Sequence, residues 1–74
     1  METDGYRELA DAVIMLAVED YRYALRRLRK RPDNPRAAKL ALSCERFFRS
    51  RWFGILTGTE PKALIDQLRR EAAE

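Results

Sequence analysis

RFFRSRWF, residues 46–53, sets Phe47, Phe48, Trp52 and Phe53 among Arg46, Arg49 and Arg51. Rings alternating with guanidinium groups suit two different surfaces. One stacks on bases and grips phosphates; the other is a helix whose rings face a core while its arginines face water. Winding the stretch at the helical period decides between them. Phe47 and Phe48 fall on the same side as Ala37, Leu40, Ala41 and Cys44, and Arg46 and Arg49 fall away from it. The spacing therefore favours packing, with a base-stacking platform and a partner contact built on Arg51 and Trp52 as the competing readings.

The same winding carried one residue too far pushes Arg51 into the apolar face. Ser50 resolves this, because serine caps a helix N-terminus well and a fresh turn from Arg51 re-aims Trp52, Phe53, Ile55 and Leu56. The sequence thus predicts a helix over about 35–49, a break at Ser50, and a short helix over about 51–57 closed by Gly58. A further helix follows over about 60–72, with Thr59 as its cap, Pro61 in its first turn, and Leu64, Ile65, Leu68 and Ala72 as its stripe. Glu45 with Arg49 and Asp66 with Arg70 form i,i+4 pairs in the favourable order.

Upstream, a long helix is predicted over about 5–31. Tyr6, Ala10, Val13, Ile14, Ala17, Val18, Tyr21, Ala24, Leu25 and Leu28 share one side, Asp4 can cap the start, and bases crowd the end. Arg31-Pro32-Asp33-Asn34-Pro35 stops it, and Asn34 before Pro35 starts the second helix. Strand signals and internal repeats are absent. The expected fold is all-α: one domain over residues 1–74, a small bundle in which three shorter helices fold back on a long first one.

At 74 residues and 8.7 kDa, a single core supplies only about 3–5 kcal/mol, so help from outside it is expected. Cys44 is the only cysteine, which rules out an intrachain disulfide and fits a reducing, cytoplasmic setting. Histidine is absent, removing the commonest zinc ligand and general base. No cofactor, metal or catalytic residue is expected: Cys44 lies on an apolar face, and the acids Glu8, Asp11, Glu19 and Asp20 read as a hydrated surface. Neither a membrane span nor an export signal is predicted. Self-association is the remaining aid.

The net charge of +3 conceals a strong asymmetry. Residues 1–20 set six acids against Arg7, residues 21–51 set eleven bases against Asp33 and Glu45, and residues 52–74 are close to balanced. Arg22, Arg26, Arg27, Arg29, Lys30, Arg31, Arg36 and Lys39 surround the first inter-helix turn. They read either as a solvated helix end or as an electrostatic footprint for phosphate groups, with no helix-turn-helix spacing or glycine-rich loop to specify it further. A second apolar set, Leu9, Ala12, Leu16 and Tyr23, lies away from the main stripe of the long helix and predicts a homo-oligomer, most simply an isologous dimer of that helix.

Residues 45–70, and in particular Glu45-Arg46-Phe47-Phe48-Arg49-Ser50-Arg51-Trp52-Phe53 followed by Leu56-Thr57, Leu64-Ile65 and Leu68-Arg69, resemble small uncharacterised proteins encoded in prophages and mobile elements of Gram-positive bacteria. The resemblance implies a setting among regulators, assembly accessories and inhibitors of host machinery. It carries over no catalytic or binding residue, and relatives with an acid at the position of Arg51 argue against a required phosphate contact there. Three functions are expected in order: a non-enzymatic binding protein contacting an anionic partner (nucleic acid, nucleotide or nucleic-acid-handling machinery), a protein-interaction module or inhibitor of a host factor, and a virion or assembly accessory.

Overall fold

The computed structural model describes the backbone of residues 2–73 and the side chains of residues 8–73. Four helices follow one another: α1 (Glu2–Lys30), α2 (Pro35–Phe48), α3 (Arg51–Thr57) and α4 (Pro61–Ala73). At ~1.5 Å per residue, α1 spans nearly the whole 45 Å long axis, while the other two dimensions are only 21 and 20 Å. The fold is the expected all-α bundle. α1 begins earlier than the sequence predicts, so Asp4 lies inside the helix instead of capping it. The side chains of Asp4 and Tyr6 fall outside the described residues.

Local chemistry fixes the helix ends. Asn34 is extended at φ −69° and ψ 109°, and its Oδ1 accepts from the backbone N–H groups of Arg36 and Ala37 at 3.1 and 3.2 Å. Two of the unpaired donors at the start of α2 are thereby satisfied, with Pro35 supplying the first helical residue. Ser50 interrupts the aromatic stretch where the winding demands it. Its Oγ accepts from the N–H of Phe53 at 3.2 Å, and α3 starts afresh at Arg51. Gly58 closes α3 in the left-handed conformation at φ 63°, its N–H donating to the Gly54 carbonyl.

Thr59 does not cap α4. Its N–H donates to Thr57 Oγ1, and Glu60 flanks the helix, with its carbonyl accepting from Leu64 N–H. Asp66 and Arg70 form no ion pair among the described residues, whereas Glu45 and Arg49 do, at 3.4 Å.

The core collects Tyr21 and Ala24 from α1, Ala41, Cys44 and Phe48 from α2, Phe53 from α3, and Ile65 and Leu68 from α4. Phe48 and Phe53 are fully enclosed, their centroids 5.5 Å apart, and Phe47 sits 5.6 Å from Phe53. Each phenyl ring withdrawn from water contributes about 1.5–3 kcal/mol. The edge-on geometry adds about 0.5–1.5 kcal/mol per pair. Packing therefore wins for the phenyl rings of RFFRSRWF. Trp52 is different: it touches Phe47 at 5.5 Å but remains 38% exposed. Ile55, expected inside, points outward because a seven-residue helix anchored by Phe53 has only one face to bury.

One polar cluster crosses the core. Glu45 is buried on α2, and its Oε2 accepts from Tyr21 Oη at 2.7 Å and from Arg69 Nη2 at 2.8 Å. Arg69 Nε also donates to Tyr21 Oη at 3.2 Å, and Arg49 Nη1 reaches Glu45 Oε1 at 3.4 Å. The cluster joins α1, α2 and α4. Burial alone would push the Glu45 carboxyl up, but the hydrogen bonds from Tyr21 and Arg69 and the charges of Arg69 and Arg49 outweigh it and hold the group below its ordinary value. Burial, helped by the neighbouring carboxylate, pushes the Tyr21 phenol up to about 12.

Candidate functional site

The enclosed groups leave no reactive centre among themselves. Tyr21 is fully buried and its hydroxyl is committed to Glu45. Burial, with the nearby charges of Asp20 and Glu45, raises the Cys44 thiol above its ordinary value, which keeps it protonated. No three potential metal ligands gather among the described residues. What remains is the outside of α1.

The last two turns of α1 carry the densest positive charge. Tyr23, Arg26, Arg27, Arg29 and Lys30 line an open hollow of about 630 Å³. A smaller hollow of about 290 Å³ continues past the helix end, lined by Arg27, Lys30, Arg31 and Asn34. Arg27 and Lys30 belong to both, so the two form one basic surface around the first inter-helix turn. The Arg27 guanidinium stands 5.8 Å from the centre of the Tyr23 ring, close enough for a cation–π contact that steadies the side chain without neutralising it.

The structure splits the eight predicted basic residues into three groups. Arg26, Arg27, Lys30 and Arg31 are exposed and, among the described residues, pair with no carboxylate. Arg22 and Arg29 are occupied in holding α4: Arg22 Nη2 pairs with Glu71 at 3.1 Å, and Arg29 Nη1 donates to the Ala72 carbonyl at 3.0 Å. Arg36 and Lys39 are exposed on α2 and line neither hollow. Four cations at the helix end are thus uncommitted among the described residues. The C-terminal end of a helix is itself mildly repulsive to anions, so these side chains must overcome the dipole as well as attract.

The apolar set on the other face of α1 is exposed. Leu9 and Leu16 are 65% and 59% accessible, Tyr23 is 50% accessible, and Ala12 is open between them. Val13, expected in the main stripe, is 39% exposed and sits at the border of this second strip, with Met15 on its other side. The shorter helices do not wrap far enough round α1 to cover it. Arg51 and Trp52 are both exposed at the start of α3.

The polar core cluster went unread in the sequence, where Tyr21 passes for one more member of an apolar stripe and Glu45 for a surface partner of Arg49. A usable signal exists: a tyrosine in the middle of a buried stripe needs a partner for its hydroxyl.

These features define a class: an all-α bundle with a buried polar tie, a basic helix end and an uncovered apolar strip on its longest helix. No helix among the described residues is long and apolar enough to cross a membrane. No protein-family profile matches the chain. Searches of curated proteins and of solved structures give no match either.

Proposed function

We propose that this is a non-enzymatic binding protein that contacts an anionic partner, a nucleic acid or a nucleotide, through the basic end of α1. The observation that carries this reading is the group Arg26, Arg27, Lys30 and Arg31, exposed and uncommitted on one contiguous surface, while Arg22 and Arg29 in the same region are held by α4. Lysine and arginine side chains contact phosphates by charge, and such contacts need no base-reading motif. The half-exposed Tyr23 ring at the edge of the hollow offers one stacking surface to an unpaired base. The likeness of residues 45–70 to small prophage proteins supports a regulatory or inhibitory setting in a bacterial cytoplasm. Titration of the protein with DNA, RNA and nucleotides at two salt concentrations tests the proposal. Binding that weakens steeply with salt supports it, and no binding at low salt discards it.

A second reading, a protein-interaction module or an assembly accessory, draws on the exposed pair Arg51 and Trp52 with Ile55, 73% exposed, in the same short helix. Tryptophan and arginine are the residue types most enriched at the centres of protein interfaces. Trp52→Ala and Arg51→Ala that abolish co-purification of a protein partner while leaving the binding of anions unchanged would favour that reading.

A further inference from the structure

The uncovered strip on α1 has a charge pattern that restricts what can lie on it. Leu9, Leu16 and Tyr23 recur every seven residues and so share one line along the helix, with Ala12 between the first two and the exposed Glu19 between the second two. By sequence the first half of the helix is acidic on balance, with Glu2, Asp4, Glu8 and Asp11 against Arg7, and the second is basic on balance, its five bases outnumbering Glu19 and Asp20. A helix with this polarity is complementary to itself reversed. A parallel copy would set Arg26, Arg27 and Lys30 against their own equivalents. An antiparallel copy turned about a two-fold axis near Leu16 sets each basic half along an acidic one.

We infer that the outer face of α1 is the interface of an antiparallel homodimer, in which Leu9 of one protomer lies opposite Tyr23 of the other and the two Leu16 side chains meet near the axis. The same patch serves both copies, as a closed two-fold interface requires. Helix pairing over most of a 45 Å molecule offers room for a standard-sized interface of about 800 Å² per partner. Apolar exposure supplies the attraction: three large side chains half or more accessible on one line are uncommon on an isolated soluble helix. The dimer and the anion-binding proposal draw on the same Tyr23, Arg26, Arg27 and Lys30, so pairing would engage three of the four cations of the basic end and leave Arg31, with Arg36 and Lys39, beyond the paired strip.

Sedimentation equilibrium of the full chain, with disulfide trapping as the test of direction, decides the matter. The expected mass is twice the 8.7 kDa of one chain, and Leu16→Glu should weaken the dimer at least about tenfold with unchanged helical circular dichroism. Should Leu16→Glu lose helicity, trapping alone serves: Leu9→Cys and Tyr23→Cys, each made with Cys44→Ala, are mixed and oxidised. Mixed Leu9→Cys/Tyr23→Cys disulfides as the main product support antiparallel pairing. Predominant disulfides between identical variants would overturn the direction, and a monomeric mass with no trapped product would overturn the interface. Anion titration of Leu16→Glu separates the two proposals, since a monomer that still binds polyanion leaves the basic-end reading intact.

Discussion

Tyr21 Oη donates to Glu45 Oε2 at 2.7 Å across the contact between α1 and α2, two residues separated by 24 positions in the chain. Arg69 closes the arrangement from α4 with bonds to both. A carboxylate taken out of water is costly unless its acceptor sites are filled, and here they are filled by Tyr21 of α1, Arg69 of α4 and Arg49 just past the end of α2. No buried side-chain nitrogen or oxygen among the described residues lacks a partner. The cluster therefore specifies how α4 docks, which an all-apolar contact would leave freer to slide.

Tyr21→Phe removes two hydrogen bonds to charged groups, the one Tyr21 donates to Glu45 and the one it accepts from Arg69, and leaves Arg69 on Glu45, so a loss at or above the range of about 1.5–3 kcal/mol for one such bond is expected. Glu45→Gln leaves Arg69 facing a neutral amide and should cost a comparable amount. The double variant should cost less than the sum of the two, because they share one network. Urea unfolding measures all three, and strict additivity would contradict a coupled cluster.

Stability should depend on pH at both ends. Glu45 is held below its ordinary value, so its contribution is present above the unfolded value of about 4.3 and is lost as pH falls through the lower folded one. Tyr21, raised to about 12, contributes fully below its unfolded value of about 10 and loses that contribution as pH rises through the folded one. Thermal melts of the wild type against Glu45→Gln on the acid side, and against Tyr21→Phe on the alkaline side, should each converge as the relevant group titrates.

The two glycines flanking the end of α3 predict opposite signs. Gly58 adopts φ 63°, where an added Cβ is strained although nothing stands within 4 Å of it. Gly58→Ala should destabilise by about 1–2 kcal/mol. Gly54 lies inside the helix with open space beside it, so Gly54→Ala should stabilise by about 0.5–1 kcal/mol. Paired thermal melts check both.

Cys44 should react slowly. It is 5% exposed, and burial together with the charges of Asp20 and Glu45 raises its thiol above the ordinary value. Labelling with a thiol-specific reagent at neutral pH should proceed only at the rate of unfolding, accelerating in urea; fast labelling of the folded protein would show an accessible thiolate.

Much of this architecture was legible because its rules are local. Asn34-Pro35, Ser50 and Gly58 mark ends that depend on one or two neighbouring residues, and all three behave as their chemistry requires. The apolar stripe of α2 follows from period alone. Thr59 misled because a threonine two residues before Pro61 suits a cap, yet α4 begins at Pro61 and the flanking position falls to Glu60, whose carbonyl accepts from Leu64 N–H. Ile55 and Val13 were misplaced for a different reason: periodicity says which residues share a side, and only the positions of neighbouring helices say how wide the covered side is. For the same reason, the basic residues could be enumerated in advance but not divided. That Arg22 and Arg29 serve α4 while Arg26, Arg27, Lys30 and Arg31 stay uncommitted depends on where Glu71 and Ala72 arrive.

The most direct test of the account is the slope of log K against log salt for binding to a single-stranded oligonucleotide, compared between wild type and Arg27→Gln/Lys30→Gln/Arg31→Gln. Each lost phosphate contact reduces the slope by about 0.7 on a single strand, so the triple variant should bind more weakly to every sequence and show a slope shallower by about 2. An equally steep slope in the variant, with affinity unchanged, would contradict the claim that the end of α1 is where the protein meets its partner.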